Sequence, residues 1–346
     1  MRKFIFLILV LFSLTNCKKE KEGGNMDTDP VYPPAPVYIE TPGFPDCSLD
    51  LEDATLDFED GTPTSGPNYY LVTRADTGIE GFRVSPLDEN RLLLLVRYRI
   101  DRYEYTDRMA VYNIVTNTFE PVGDFVVNDI AVPDWNNKER ILYTSSGGLI
   151  FSVNPDGSDM QQLTSSYRNF YPLWNPQGDH FFFHQYNPAT QGRFNLVANG
   201  IGQILDTIFT QRTRFTDWVQ EDIILLGGVF IYLDLKSDLD YGFENLDDAA
   251  SSMTMSIPGE ILYLTNTSEK PRYLSAYNLG TREFRNVKYS CISNAFECID
   301  YAPKNKKLII SLNRLVQTGP QNLKEVHDLY IMDVDGGNPK LIKTFH

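Results

Sequence analysis

Histidine, tryptophan and cysteine are scarce in this chain of 346 residues, at four, three and four copies. Lysine and arginine total 31 against 46 aspartates and glutamates, for a net charge of −15. Phosphate backbones require a basic footprint, so this balance excludes nucleic acid as a partner. The chain also lacks an apolar run of the roughly 20 residues that span a bilayer as a helix; the run from Phe4 to Leu14 is about half that. No G-x-S-x-G, S-x-x-K, H-E-x-x-H or P-loop motif occurs. His180 and His184 stand at i and i+4 in what reads as a strand, hence about 13 Å apart at roughly 3.3 Å per residue, too far to share a metal. Neither a catalytic residue, a metal site nor a cofactor is expected.

The N-terminus has a basic start (Arg2, Lys3) followed by that short apolar run, the pattern of a secretory signal. Leu14-Thr15-Asn16-Cys17 resembles the lipobox of bacterial lipoproteins. The resemblance implies a signal peptide over 1–16, lipidation of Cys17 and, with Lys18 next rather than Asp, an outer-membrane anchor facing the periplasm or the cell surface. Residues 17–45 have the Lys, Glu, Gly and Pro content of a flexible tether. Two of the 31 basic residues lie in the leader, leaving 29 against 46 acidic ones, a balance of −17 for the mature chain.

Lipidation leaves Cys47, Cys291 and Cys298 in a compartment where disulfides persist. An odd number leaves one thiol free. Cys291 with Cys298, seven apart, is the favoured pair; Cys47 with either one is the alternative.

What is abundant is the short apolar run. "RLLLLVRY" from Arg91 is followed by "RILYTSS" (Arg140), "HFFFHQY" (His180), "DIILLGG" (Asp222), "EILYLTN" (Glu260) and "KLIISLN" (Lys307). A turn precedes each run, and a second strand with a polar turn follows, as in "LIFSVNPDG" and "LYIMDVDGG". Asp-Gly turns supply the positive φ of tight hairpins. Aligned at Pro86, Asn137, Pro176, Gln220, Pro258 and Pro303, the units recur about every 43 residues, the period of a four-stranded propeller blade. Runs of five to seven β-branched and aromatic residues exclude helical repeats of that length. The predicted fold is all-β: a six-bladed β-propeller of four-stranded antiparallel blades over 79–346. Residues 46–78 form a closure segment, whose Tyr69–Arg74 stretch pairs with the last blade.

"PLWNPQGDHFFFHQY" and "LYIMDVDGGNPKLI" resemble the repeats of TolB-like propellers, over roughly residues 79 to 345. The resemblance implies fold and says little of function. TolB carries an α/β domain before its propeller, for which residues 18–78 are too short and Pro-rich. TolB's partnership with a peptidoglycan-associated lipoprotein is therefore not expected here.

Asp333, Asp335 and Asn338, and the six carboxylates between Asp234 and Asp248, read as turns and a solvated loop rather than calcium loops, for neither completes the ligand pattern. Trp135, Trp174 and Trp218 are repeat-equivalent and read as core between blades. In such blades the loops between second and third strands share a face with the connections to the next blade. That face gathers Arg99, Arg102, Arg168, Arg193, Arg212 and Arg214 with Tyr103, Tyr105, Tyr167 and Tyr186. The opposite face gathers Asp156, Asp159, Asp234, Asp333 and Asp335. The binding candidates are Arg99, Arg102, Tyr103, Arg168, Arg193 and Arg214, suited to an anionic protein or glycan. The expected function is a monomeric, lipid-anchored, non-catalytic binding or scaffold module of the cell envelope, meeting the membrane through its anchor only. The alternative is a lyase or hydrolase acting on an acidic polysaccharide or peptide at the axial channel.

Overall fold

The computed structural model describes residues 42–45, 47–51, 53–58, 68–102, 104–127, 132–166, 168–189, 192–208, 216–220, 223–226, 229–232, 237–239, 250–257, 260–265, 273–278, 281, 283–291 and 293–346. Among them there is no helix. Two short strands come first, β1 (Thr55–Asp57) and β2 (Tyr69–Thr73). The first sheet is β3 (Thr77–Val84), β4 (Arg91–Arg99), β5 (Tyr105–Asn113) and β6 (Thr118–Val126). The second is β7 (Asp134–Trp135), β8 (Ile141–Thr144), β9 (Ile150–Val153) and β10 (Gln161–Gln162). The third is β11 (Asn169–Trp174), β12 (His180–Asn187), β13 (Gly192–Asn199) and β14 (Ile204–Ile208). The fourth is β15 (Thr216–Gln220), β16 (Ile223–Leu226), β17 (Val229–Tyr232) and β18 (Ser237–Leu239), and the fifth β19 (Ala250–Ile257), β20 (Glu260–Thr265), β21 (Tyr273–Asn278) and β22 (Glu283–Tyr289). The last is β23 (Asn294–Ala302), β24 (Lys307–Gly319), β25 (Asn322–Asp333) and β26 (Lys340–Phe345). Within each, strands pair antiparallel in chain order. The first strands neighbour one another in the same order, and β23 returns to β3.

The second strand of a sheet shows why the apolar runs have no polar alternation. Along β4, Leu92, Leu94 and Val96 join a cluster with Ile309, Leu329 and Phe345 of the last sheet. The alternate residues Leu93 and Leu95 join Trp135, Ile141 and Tyr143 of the second sheet. Likewise on β12, Phe181 and Phe183 pack on Leu142 and Ile150, while Phe182 packs on Trp218 and Ile224 of the fourth sheet. Side chains alternate between faces, so a strand buried on both faces is apolar throughout. Each such side chain contributes about 1.5–3 kcal/mol by leaving water. Trp135, Trp174 and Trp218 are buried in these clusters, as core between sheets.

β2 pairs with the last sheet, parallel to the start of β25, and β1 continues parallel beside it. The last sheet is nevertheless complete without it, since β26 supplies its fourth strand. Phe44, which composition assigns to the tether, is buried against Phe296 and Tyr330, and Leu51, Val72, Leu315 and Leu323 form a further cluster where the N-terminal segment crosses the long β24–β25 hairpin.

The disulfide corrects the favoured reading. Cys47 bonds to Cys291, with Cα atoms 5.9 Å apart, and Cys298 is a buried free thiol. The reason is strand geometry: Cys298 lies inside β23, and the extended stretch from Asn294 to Cys298 alone spans about 13 Å. A disulfide needs Cα atoms within about 7 Å. Cys291 stays in the connection between β22 and β23, where the N-terminal segment passes.

Candidate functional site

Three groups of side chains carry chemistry. The first is a column of the repeat. Counting back three from the aligned turn positions gives Arg83, Asp134, Leu173, Asp217, Met255 and Asp300, all on first strands of their sheets. Arg83 Nε stands 3.9 Å from Asp134 Oδ1. Burial works against the Arg83 charge, but Asp300, Asp134 and Asp217 outweigh it and hold its pKa above the ordinary value. Asp134 is pushed from 3.8 up to about 6 by burial, against the pull of Arg83 and of main-chain N–H groups. Burial also raises Asp300. Two of these acids fasten neighbouring sheets in the same way. The Trp174 N–H donates to Asp134 Oδ2 at 2.6 Å, and the Val84 N–H donates to Asp300 Oδ2 at 2.7 Å. Donor and acceptor occupy equivalent positions of successive sheets in both cases. Sequence reasoning missed this column; comparing one register position across all six units would have found it.

The second group is the expected Arg and Tyr face. Arg168 lies with its guanidinium 5.4 Å from the Tyr186 ring centre, and Arg193 is the cross-strand neighbour of Tyr186. Arg168 has φ of 66°, a left-handed conformation uncommon for a residue with a Cβ. Its carbonyl accepts the Tyr186 N–H at 3.0 Å, and the next residue, Asn169, is fully buried and bonded to Gly148 O and Thr164 Oγ1. The structure thus brings Arg168, Arg193 and Tyr186 together on the third sheet. Arg99 and Arg102 stand apart from them at the β4–β5 turn of the first sheet, where Arg99 Nε donates to Asp101 O. Tyr103, Tyr167, Arg212 and Arg214 lie outside the described residues. On the opposite face, Asp156, Asp159, Asp333 and Asp335 accept hydrogen bonds from their own or neighbouring turns. Among the described residues no three His, Cys, Asp or Glu are grouped to hold a metal ion. His184 is buried against Tyr171 and Phe182 and bonded through Nδ1 to Asn195; burial pushes its pKa down to about 4.

The third group lies on the same face as the arginines, between the first and last sheets. There a cavity of about 200 Å³ opens among Glu80, Arg97, Tyr105, Asn313, Glu325 and His327. Its charges are mixed, so the face is not uniformly basic.

No protein-family model and no curated protein matches the chain. Solved structures do. The β-propeller domain of the trilobed protease from Pyrococcus furiosus, which has an open velcro topology, superposes with a TM-score of 0.50 at 8% identity, covering 78% of this chain and 99% of that one. A putative TolB from Agrobacterium tumefaciens is similar at a TM-score of 0.48 and 11% identity, over 68% of this chain and 87% of that one. An acylaminoacyl peptidase of Pyrococcus horikoshii matches with 0.48 and 11%, over 77% and 52%. The first of these carries the conclusion on fold. The chain has a β-propeller fold.

Proposed function

We propose that the six sheets are the blades of a lipid-anchored, monomeric propeller of the bacterial cell envelope. On this reading the chain is a non-catalytic module that binds an anionic protein or glycan through the Arg168–Tyr186–Arg193 group. The observation that carries the reading is the preorganised Arg168, whose strained backbone is fixed by Tyr186 and Asn169 and whose guanidinium lies over an aromatic ring. Strained residues of this kind concentrate at ligand sites. Arginine with tyrosine suits recognition of carboxylates and phosphates. The lipobox resemblance at Cys17 and the Cys47–Cys291 disulfide support an exported location.

The enzyme reading has one observation in its favour, the Asp134 carboxyl raised to about 6, in the range of a general acid. Two arguments weigh against it. Asp134 and Asp300 are already engaged as acceptors for the neighbouring blade's main chain. Three acids with one arginine also repel the acidic substrates that reading requires.

The test is affinity capture from envelope extract with the full chain, its C17A form and R168E/R193E. The C17A form is expected in the soluble fraction, and a partner captured by the wild type is expected to be lost from the charge-reversed chain. Equal capture by both would overturn the assignment of the face, and a membrane-bound C17A chain would overturn the anchor.

A further inference from the structure

We propose that the cavity between the first and last blades is a binding site for a neutral, hydroxyl-bearing ligand of about one ring, a monosaccharide unit. At about 200 Å³ it falls below the roughly 300–1,000 Å³ of sites for drug-sized ligands. It is nonetheless several times the ~30 Å³ that a water molecule takes in the liquid.

Three of its charged groups, Arg97, Glu80 and Glu325, are met from within the protein. Arg97 donates from Nε and Nη2 to Asp107 at 2.9 and 3.1 Å and reaches Glu80 at 3.0 Å. Glu325 accepts from Asn313 at 2.7 Å and from the Ala75 N–H at 3.4 Å. Arg74, at the edge, lies 4.7 Å from the Phe58 ring centre.

Two neutral groups are buried without a partner. Tyr105 Oη and His327 Nδ1 are buried without a hydrogen-bond partner, and His327 is only 8% exposed. Burial holds His327 below its ordinary pKa, which keeps the ring neutral. A buried polar atom without a partner costs about 1–3 kcal/mol and is uncommon in folded proteins. A hydroxyl both donates and accepts, so it satisfies a phenol and a neutral imidazole whichever tautomer is present. A ligand charged toward Arg97 or Glu80 would have to displace an existing ion pair.

The site is also held rigid. Arg97 lies 5.5 Å from the Tyr105 ring centre, and Gly78 lets the His327 ring approach, since a Cβ there would stand 3.0 Å from Nε2.

The site shares no residue with the Arg168–Tyr186–Arg193 group and does not rest on it. The experiment is calorimetric titration of the full chain with glucose, galactose, mannose and N-acetylglucosamine, with glucuronate and glucosamine as charged counterparts. A ligand of about twelve heavy atoms at only ~0.3 kcal/mol each binds with a Kd of about 2 mM, so titration to about 100 mM suffices. At least one neutral sugar is expected to bind more tightly than its charged counterparts. Y105F and H327Q should each weaken it by about 3- to 10-fold, the loss of one hydrogen bond, while R168E/R193E leaves it unchanged. Absence of binding by all four neutral sugars would overturn the proposal and mean that the cavity holds water only. Stronger binding of a charged sugar, or equal binding by folded Y105F and H327Q, would also overturn it.

Discussion

Between the second and third blades, Asp134 receives the Trp174 N–H; between the last and first, Asp300 receives the Val84 N–H. The clamp is the same but its surroundings differ. The chain itself runs from the second sheet into the third, where Asn169 also donates to Gly148 O and Phe181 and Phe183 pack on Leu142 and Ile150. Asn136 and Lys138 donate to Gly178 O, and Gly178 sits at φ +68° with Asn136 so close that no Cβ would fit. The last and first sheets each take their four antiparallel strands from their own end of the chain, and β2, which runs directly into the first sheet, adds to the last one parallel to β25. Here the additions are many. Glu89 accepts the N–H groups of Lys304 and Asn305, Lys304 Nζ reaches back to Leu87 O at 2.8 Å, and Thr77 N–H meets His346 O at 3.0 Å. A cluster of Ile79, Phe82, Leu92 and Leu94 with Cys298, Ile309 and Phe345 lies beneath. Over the last blade the N-terminal segment is fastened by the disulfide and by β2. This seam is held by one short parallel ladder, by many side-chain-to-main-chain bonds and by a covalent strap.

The strap is where the difference should be easiest to break. The disulfide joins residues 244 apart in sequence, and bridges closing long loops typically contribute about 2–5 kcal/mol. C47A/C291A is expected to lower stability by that amount in denaturant titration. Its amide exchange should rise first along β2 and β25. A uniform rise across all blades would show that the strap stabilises the ring at large and not the closing blade.

The two clamps come next. Asp134→Ala and Asp300→Ala each strand a main-chain donor, at about 1–3 kcal/mol. The Asp300 change should be the larger, because Thr254 also donates to it. Substitution by Asn keeps an acceptor and removes the charge. The pKa of Asp134 is higher folded than unfolded, so the folded state holds its proton more tightly. Stability from this group is therefore fullest below about pH 4 and declines as pH rises through about 6, by on the order of 2–3 kcal/mol. Asp134→Asn should flatten that decline. A slope unchanged from wild type between pH 4 and 7 would mean that Asp134 is charged in the folded ring.

Much of this comparison was legible in the sequence, and the limits have physical reasons. The second strands announced themselves because both their faces are buried, and "HFFFHQY" could hardly be anything but the middle of a stack. The Asp-Gly turns gave the hairpins, and the spacing gave the repeat. The pairing of Cys47 was not legible, since it depends on the path of the N-terminal segment over the last blade. Nor was the cavity. Tyr105 and His327 lie at opposite ends of the chain and meet only because the ring closes. Topology assigned Arg168 and Arg193 to one face, but it could not show that Arg97 is held by Asp107 and Glu80, because cross-strand neighbours depend on register.

The smallest effect should come from the seam between the first and second blades, where Arg91 Nη1 meets Glu139 Oε1 at 2.6 Å. The short contact invites a large assignment, yet the side chains are 24% and 42% exposed, and pairs of that kind contribute about 0–1 kcal/mol. Arg91 also lies 5.0 Å from the Trp135 ring centre, so Arg91→Ala removes packing as well as charge and should cost more than Glu139→Ala. Glu139 has φ of 58°, where glycine is unstrained. Glu139→Gly should therefore be close to neutral, with the lost ion pair offset by relief of the backbone. A double-mutant cycle with Arg91→Ala and Glu139→Ala is expected to give a coupling below about 1 kcal/mol. A coupling of about 2 kcal/mol or more would make this exposed pair a clamp in its own right, and a seam between consecutive sheets would then need fastening as much as the seam between the last and the first.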